Sequence, residues 1–476
     1  MSKEASNETD VIVIGGGAVG ENVAERIVKG GLTAVLIENE LVGGECSYWA
    51  CMPSKALLRP PAALEAARRV AGATEAATGN LDVEAVLERR NSFTSDWNDE
   101  GQVAWLEGAG ISLVRGRGVI SGERAVEVTG QDGRIETWHA RHAVVLATGS
   151  TPRIPEIDGL ADVAYWGTRE ATSAKEIPGR LVVIGGGVAG IELAQAFSRL
   201  GSRVTVIARG NVLEMYPKSA SKLVVDALRK EGVVIRTGTT PSRIARGQNE
   251  TIAVVVEDGD VVECDRLLVS TGRHPALENL GLEDLGLTDL KLKIGVDGRV
   301  TNVDGGWLYA VGDAAGKVLL THQGKYEARL TGDAIVARAN GALGDDIEPW
   351  SKYAATANTV AVPQVVFTDP EIVAVGRTEE QAIEAGIRVR TVDVAIDVAG
   401  ASLLADGYEG WAQMVVDEDR GVIVGVTFAG QDVSEMLHAA TIAIVGEVPL
   451  DRLWHAVPAY PTMSEVWLRL LEAYGL

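Results

Sequence analysis

Cys46 and Cys51, separated by four residues in GGECSYWACMPSK (43–55), are the side chains of this 476-residue chain best suited to chemistry. Such a pair could be half of a zinc site, two buried thiols or a redox couple. Zinc takes four ligands. The third cysteine, Cys264 in VVECDRLLVS, reads as part of a buried strand, and the six histidines are scattered without ligand spacing. A redox couple is the better account, because the pair opens a helix whose N-terminus lowers a thiol pKa. Two glycine clusters are the other chemical signal. VIVIGGGAVG (11–20) is followed 170 residues later by LVVIGGGVAG (181–190). Gly15, Gly17 and Gly20, then Gly185, Gly187 and Gly190, repeat the G-x-G-x-x-G spacing. The first glycine permits a tight turn, the second lets backbone amides approach a pyrophosphate, and the third lets helix and strand pack closely.

The elements that position these residues are duplicated too. Each cluster follows a β-branched run and enters a helix-like segment, ENVAERIVKGG or IELAQAFSRLG, and then a second apolar strand, TAVLIE or RVTVIA. That context makes both credible dinucleotide sites. The second strand of the first copy ends at Glu38, where a carboxylate accepts hydrogen bonds from a ribose diol. The equivalent position in the second copy is Ala208, followed by Arg209. Loss of the acid beside a guanidinium suits a 2′-phosphate, so NADPH is expected there. Glu214 nearby argues the other way and keeps NADH as an alternative. VVLATGS (144–150) and LLVSTGR (267–273) place Thr148, Gly149 and Gly272 at the ends of the two nucleotide units, and LYAVGDAAG (308–316) ends a strand at Asp313.

The predicted fold is therefore α/β, with two Rossmann-like domains and a C-terminal α+β domain. The expected order is a first nucleotide domain at 1–155, an inserted second one at 156–280, a return to the first at 281–350, and an interface domain at 351–476. Hydrophobic residues at 46% and charged residues at 23% exclude disorder and coiled coil. Glycine, 55 residues against a usual ~7%, points to tight turns and backbone close to ligands. A formal charge of −22 disfavours nucleic acid and anionic membrane as partners. The polar start MSKEASNETD and the lack of any apolar run of 18 residues or more lead us to expect a cytoplasmic protein.

With these motifs together, the chain resembles the flavoprotein disulfide reductases, the family of dihydrolipoamide dehydrogenase, glutathione reductase and mercuric reductase. The carriers are the two GGGxxG units, the C-x4-C-x-P-S-K run, the Thr-Gly segments, VGDAAG, and PQVVFTDPEIVAVGRTEEQA (363–382). The resemblance implies FAD at Gly15, Gly17, Gly20 and Glu38, with Asp313 on its ribityl chain, and NADPH in the second site. It implies that Lys55 lies beside the reactive end of the flavin and pairs with Glu192. By the same resemblance, Cys51 is the thiol nearer the flavin, forming a charge-transfer pair with it, and Cys46 is the interchange thiol. A homodimer with an active site shared between subunits is also implied.

The chain departs from this family at the C-terminus. The usual His-Pro-Thr-x-x-Glu is here Tyr460-Pro461-Thr462-Met463-Ser464-Glu465. A phenol with a pKa near 10 is a poor substitute for an imidazole near 6.5, and general-base help is typically worth 10²–10⁴ in rate. His455 is a nearby alternative base, although its context favours packing. A tyrosine near this point also occurs in mercuric reductases. This chain, however, ends EAYGL, without the vicinal cysteines of those enzymes, and has no N-terminal metal-binding cysteine module. Tyr48 and Trp49 either pack or shape the acceptor entrance. The expected acceptor is a small disulfide. A quinone or metal ion is the alternative, and a dihydrolipoamide dehydrogenase-like subunit of a complex is a third reading. No structural metal is expected.

Overall fold

The computed structural model describes residues 7–247 and 251–476, and the chain divides into two compact units. The first comprises Met1–Met52, Asn91–Pro152 and Arg273–Asn358. Its sheet runs Ser112–Arg115, Ala34–Glu38, Asn7–Ile14, Ile135–Leu146 with these neighbours parallel, and continues through Ala125–Thr129 and Arg117–Gly122 with antiparallel pairing. Leu308–Ala310 joins Ile135–Leu146, also in parallel. Central strands covered on both faces read as continuous apolar runs; Val11, Ile12, Val13 and Val144 are fully buried. The helices Ala18–Lys29 and Thr321–Ala339 belong to this unit, and a side chain at Gly30 would collide with Val336.

The second unit comprises Pro53–Arg90, Arg153–Gly272 and Thr359–Leu476. It contains a parallel sheet ordered Val234–Thr237, Arg203–Ala208, Arg180–Ile184, Arg266–Val269 and an antiparallel five-stranded sheet from the C-terminal segment. Val366, Ile372 and Ala429 of the C-terminal segment share one core with Leu181, Val206 and Leu268 of the parallel sheet. Leu57, Leu58 and Val86 pack with Ala196 and Leu200, which places 53–90 in this unit as well.

The duplication extends to individual hydrogen bonds. Gly15 N–H donates to the Ile37 carbonyl and Gly185 N–H to that of Ile207, both at 2.9 Å. Gly43 N–H donates to Gly16 O and Leu213 N–H to Gly186 O, both at 2.8 Å. Each pair is offset by the same 170 residues. Gly15 at φ 104° and Gly185 at φ 125° lie in the left-handed region, and a Cβ on either would fall within 2.4 Å of a carbonyl oxygen on the neighbouring strand's exit.

Candidate functional site

Cys46 lies in a five-residue helix, Gly44–Tyr48, and Cys51 opens the next, Cys51–Arg68, with the chain turning at Trp49 and Ala50. The expected single helix is thus two. The short one is tied to the first dinucleotide loop: Gly43 pairs with Gly17, and a Cβ on Gly44 would stand 2.8 Å from Gly17 Cα. The two cysteine side chains are in hydrogen-bond contact with each other. The bond to Cys51, then burial, pushes the Cys46 thiol up, while Thr321 and Lys325 act in the opposite direction. Thr321 Oγ1 lies 3.4 Å from Cys51 Sγ. Cys264, the last residue of Val261–Cys264, is fully buried in an apolar core that pushes its thiol to about 12.

The first glycine loop fits a dinucleotide. Glu38 Oε2 accepts from Gly16 N–H at 2.6 Å and Oε1 from Glu40 N–H at 2.6 Å, which fixes the carboxylate at the strand end. Burial raises its pKa, and these amides pull it back. A Cβ on Gly20 would meet Gly15 O, whereas one on Gly17 would touch only Gly44 Cα at 3.9 Å, leaving the helix N-terminus open. Asp313 Oδ2 accepts from Ser150 Oγ at 2.5 Å, and Ser150 Oγ accepts from Arg273 at 2.8 Å. Glu327 holds this turn by accepting Gly312 N–H at 2.7 Å. The Thr148 hydroxyl is engaged with the Ala276 carbonyl at 2.7 Å, and Gly149 beside it has φ 75°. These residues suit FAD: a ribose acceptor and an open helix N-terminus at the first glycine loop, and a half-buried carboxylate at Asp313.

In the second unit Gly187 again faces open space, while Gly190 packs against the Gly185 carbonyl. The strand ends at Ala208, buried and without a carboxylate, and Arg209 is exposed. The Glu214 carboxyl lies against Gly210, 2.7 Å from where a Cβ would stand, so this turn offers both a cation and an acid. Gly272, at φ 112°, has nothing near its Cα on the side-chain side. Lys55 and Glu192 form the expected pair at 2.7 Å. Glu192 also accepts Phe367 N–H at 2.9 Å, and the Lys55 ammonium stands 4.8 Å from the Phe367 ring centre.

At the C-terminal turn, Tyr460 is 77% exposed. Glu465 Oε1 is bonded to Arg469 at 2.6 Å, and its Oε2 is buried without a hydrogen-bond partner among the described residues. The turn is pinned by Gly400, whose Cα approaches Thr462 closely enough to exclude a side chain. His455 is exposed rather than packed. Tyr48 is buried, with its hydroxyl on the Val42 carbonyl and its phenol pushed by burial to about 12, so it packs. Trp49 packs on it with ring centres 5.6 Å apart. Sequence reasoning missed Thr321, Lys325, Ser150, Arg273 and Phe367. Ser150 and Arg273 carried a local signal, each being the residue after a Thr-Gly pair, whereas Thr321, Lys325 and Phe367 come from distant segments.

Residues 9–332 match the family described as pyridine nucleotide-disulphide oxidoreductase, and residues 362–470 match its dimerisation domain. The chain is 32% identical to a dihydrolipoyl dehydrogenase of Thermus scotoductus over 470 residues, covering 98% of this chain and 97% of that one. It is 31% identical to a mercuric reductase of Shigella flexneri, covering 97% and 80%. Among solved structures it resembles the HOCl-induced flavoprotein disulfide reductase RclA of Escherichia coli, seen as a Cu(II) complex, with a TM-score of 0.82 at 24% identity over 98% and 99% of the chains. LpdA of Mycobacterium tuberculosis gives 0.80 at 21% identity over 99% and 100%. The match over most of its length makes this chain a member of the pyridine nucleotide-disulphide oxidoreductases, NAD(P)H-dependent flavoprotein enzymes.

Proposed function

We propose that the protein passes electrons from NADPH to a small disulfide through the Cys46–Cys51 pair. The observation that carries this reading is the pair itself: two partly exposed thiols in contact where two helices meet, with a hydroxyl against Cys51. FAD on the first glycine loop would supply the two-electron chemistry that links nicotinamide to sulfur. The chain's own residues bind and orient. Glu38 is held ready for a ribose, Asp313 is kept in place by Ser150 and the Glu327-bound turn, and Lys55 is held as a fixed positive charge by Glu192. The Cys46 thiolate attacks one acceptor sulfur and expels the other. Cys51 then attacks Cys46, the internal disulfide re-forms, and the acceptor leaves as two thiolates that take up protons. Ala208 and Arg209 support NADPH as the donor. The chain acts as a homodimer in this reading, consistent with its dimerisation segment and with Val457, 86% exposed, beside Tyr460.

A second reading has specific support. Tyr460 stands at the histidine position, and Glu465, which would orient a histidine, is bonded to Arg469. An acceptor that needs no protonated leaving group, a quinone or a metal ion, fits that turn better. The mercuric reductase relatives point the same way, and the dihydrolipoyl dehydrogenase relatives keep a complex subunit in view. NADPH oxidation by wild type and Cys46→Ser against disulfides, lipoamide, quinones and mercuric ion separates these. Disulfide turnover that disappears in the variant supports the first reading. Quinone turnover that survives in the variant, with none on disulfides in wild type, replaces it with the second.

A further inference from the structure

The segment that carries Cys46 is gripped by a turn that the cysteine chemistry described so far does not use. Ser95, Asp96 and Trp97, which precede the helix Glu100–Gly108, have φ of 49°, 50° and 56°. Left-handed backbone suits glycine and is entered by other residues singly as a rule, and a bulky tryptophan there is an outlier. The turn is closed by Trp97 N–H on the Thr94 carbonyl and Asn98 N–H on that of Ser95, both at 2.9 Å, and Thr94, which leads into it, is buried. This conformation delivers two side chains to the cysteine segment. Trp97 Nε1 donates to the Tyr48 carbonyl at 3.1 Å. Tyr48 ends the short Cys46 helix, so its carbonyl is one that the helix cannot satisfy itself. Asp99 Oδ2 accepts from Val42 N–H at 2.7 Å and from Arg115 at 2.5 Å, and Arg115 also donates to the Glu40 carbonyl at 2.6 Å. Between these two ties the Tyr48 hydroxyl donates to the Val42 carbonyl at 3.0 Å, so segment 42–48 is closed on itself and held at both ends. Backbone strain kept at such a place points to a function.

We propose that Trp97 and Asp99 are positioning residues for the cysteine pair: the strained turn presents them as a clamp that fixes segment 42–48 and holds Cys46 at Cys51 while the bond between the two sulfurs opens and closes. The inference rests on the reading that Cys46 and Cys51 cycle between disulfide and thiols. Reduction separates two sulfurs that were covalently joined, and the short chain between them spreads unless a group outside it resists. A clamped Cys46 stays within reach of Cys51 at a high effective concentration. That favours attack of Cys51 on a mixed disulfide at Cys46, which re-forms the internal disulfide and releases the reduced acceptor.

The test is the thiol–disulfide equilibrium of the purified holoenzyme in anaerobic glutathione buffers near neutral pH, quenched by alkylation and read at Cys46 and Cys51 by peptide mass. Two glutathione thiols give two electrons to the protein disulfide and leave as one glutathione disulfide, while their protons pass to Cys46 and Cys51. A pair that forms no disulfide in the most oxidising buffer sinks the underlying redox reading, whatever the variants do. Where the disulfide forms, Trp97→Phe, which keeps a ring without the N–H, is expected to move the equilibrium towards thiols by roughly fivefold, the worth of one neutral hydrogen bond. Asp99→Asn is expected to move it the same way, and the double variant further than either. Ser95→Gly relieves the left-handed backbone and leaves both ties in place, so it is expected to raise the urea midpoint at an unchanged glutathione equilibrium. An equilibrium that stays put or moves towards the disulfide in Trp97→Phe overturns the clamp and leaves the redox pair standing, even if urea stability falls. A urea midpoint that Ser95→Gly does not raise overturns it too, since the turn would then carry no strain.

Discussion

Lys55 and Glu192 are a pair whose value depends on which partner is removed. The Glu192 side chain is 3% exposed and the Lys55 side chain 35%, so the carboxylate bears nearly all the desolvation. Its two oxygens accept from the ammonium at 2.7 Å and from Phe367 N–H at 2.9 Å. Lys55→Met leaves a buried anion with one amide for company, and we expect a loss of about 2 kcal/mol in urea unfolding, discounted because the lysine is partly solvated. Glu192→Gln keeps an acceptor for Phe367 and leaves a lysine that can reach water, so its loss is expected to be about 1 kcal/mol or less. Equal losses would mean that the pair is not asymmetric. Both residues were legible only through the family resemblance, since 137 positions separate them and neither has an unusual local context. Tyr460 and Glu465 were legible directly. The diversion of Glu465 to Arg469, one helical turn away, was not, because any i, i+4 pair of opposite charges reads as surface decoration.

Among the elements, the strand Glu371–Gly376 pairs antiparallel with Val422–Gly430 along its full length. Glu371 opens it and accepts Ser434 N–H at 2.8 Å. Burial raises its pKa to about 7, and Asp432 adds to this against the bonds from Ser434. A carboxyl that titrates higher folded than unfolded binds more protons in the native state between about 4.5 and 7. Its favourable contribution is therefore full below that window and is lost as pH rises through 7. Glu371→Gln, which keeps the acceptor without the charge, is expected to be more stable than wild type by up to about 3 kcal/mol at pH 8.5, with the gap shrinking towards pH 5. Urea midpoints at the two pH values check this, and a variant that is less stable at pH 8.5 contradicts it. The glycine repeat was legible as two strand–loop–helix units, and the hydrogen bonds that match between them are local to each unit. The long-range ties were invisible: Asp369 binds Arg69 at 2.7 Å and Arg199 at 2.9 Å, and buried Arg90 donates to the Thr172 and Ala174 carbonyls. No spacing rule connects such positions. The same is true of the core that joins the C-terminal segment to the second nucleotide sheet.

For the whole molecule, the family assignment and the surface point to association between copies. Val457, Tyr460, Ile442 and Trp454 are exposed apolar or aromatic residues inside the segment matched to the dimerisation domain. Sedimentation should find a dimer, and Val457→Asp should shift it towards monomer with the flavin retained; a wild-type monomer at micromolar concentration would remove the shared-site reading. No helix among the described residues is long and apolar enough to cross a membrane. Whether electrons rest on the Cys46–Cys51 pair between donor and acceptor is read most directly by an anaerobic reductive titration of the purified holoenzyme beside Cys46→Ser. The account predicts that wild type takes up one two-electron equivalent more per chain than the variant, with the additional pair appearing as thiols at Cys46 and Cys51. Equal uptake by the two proteins would contradict it and would leave the cysteines outside the electron path.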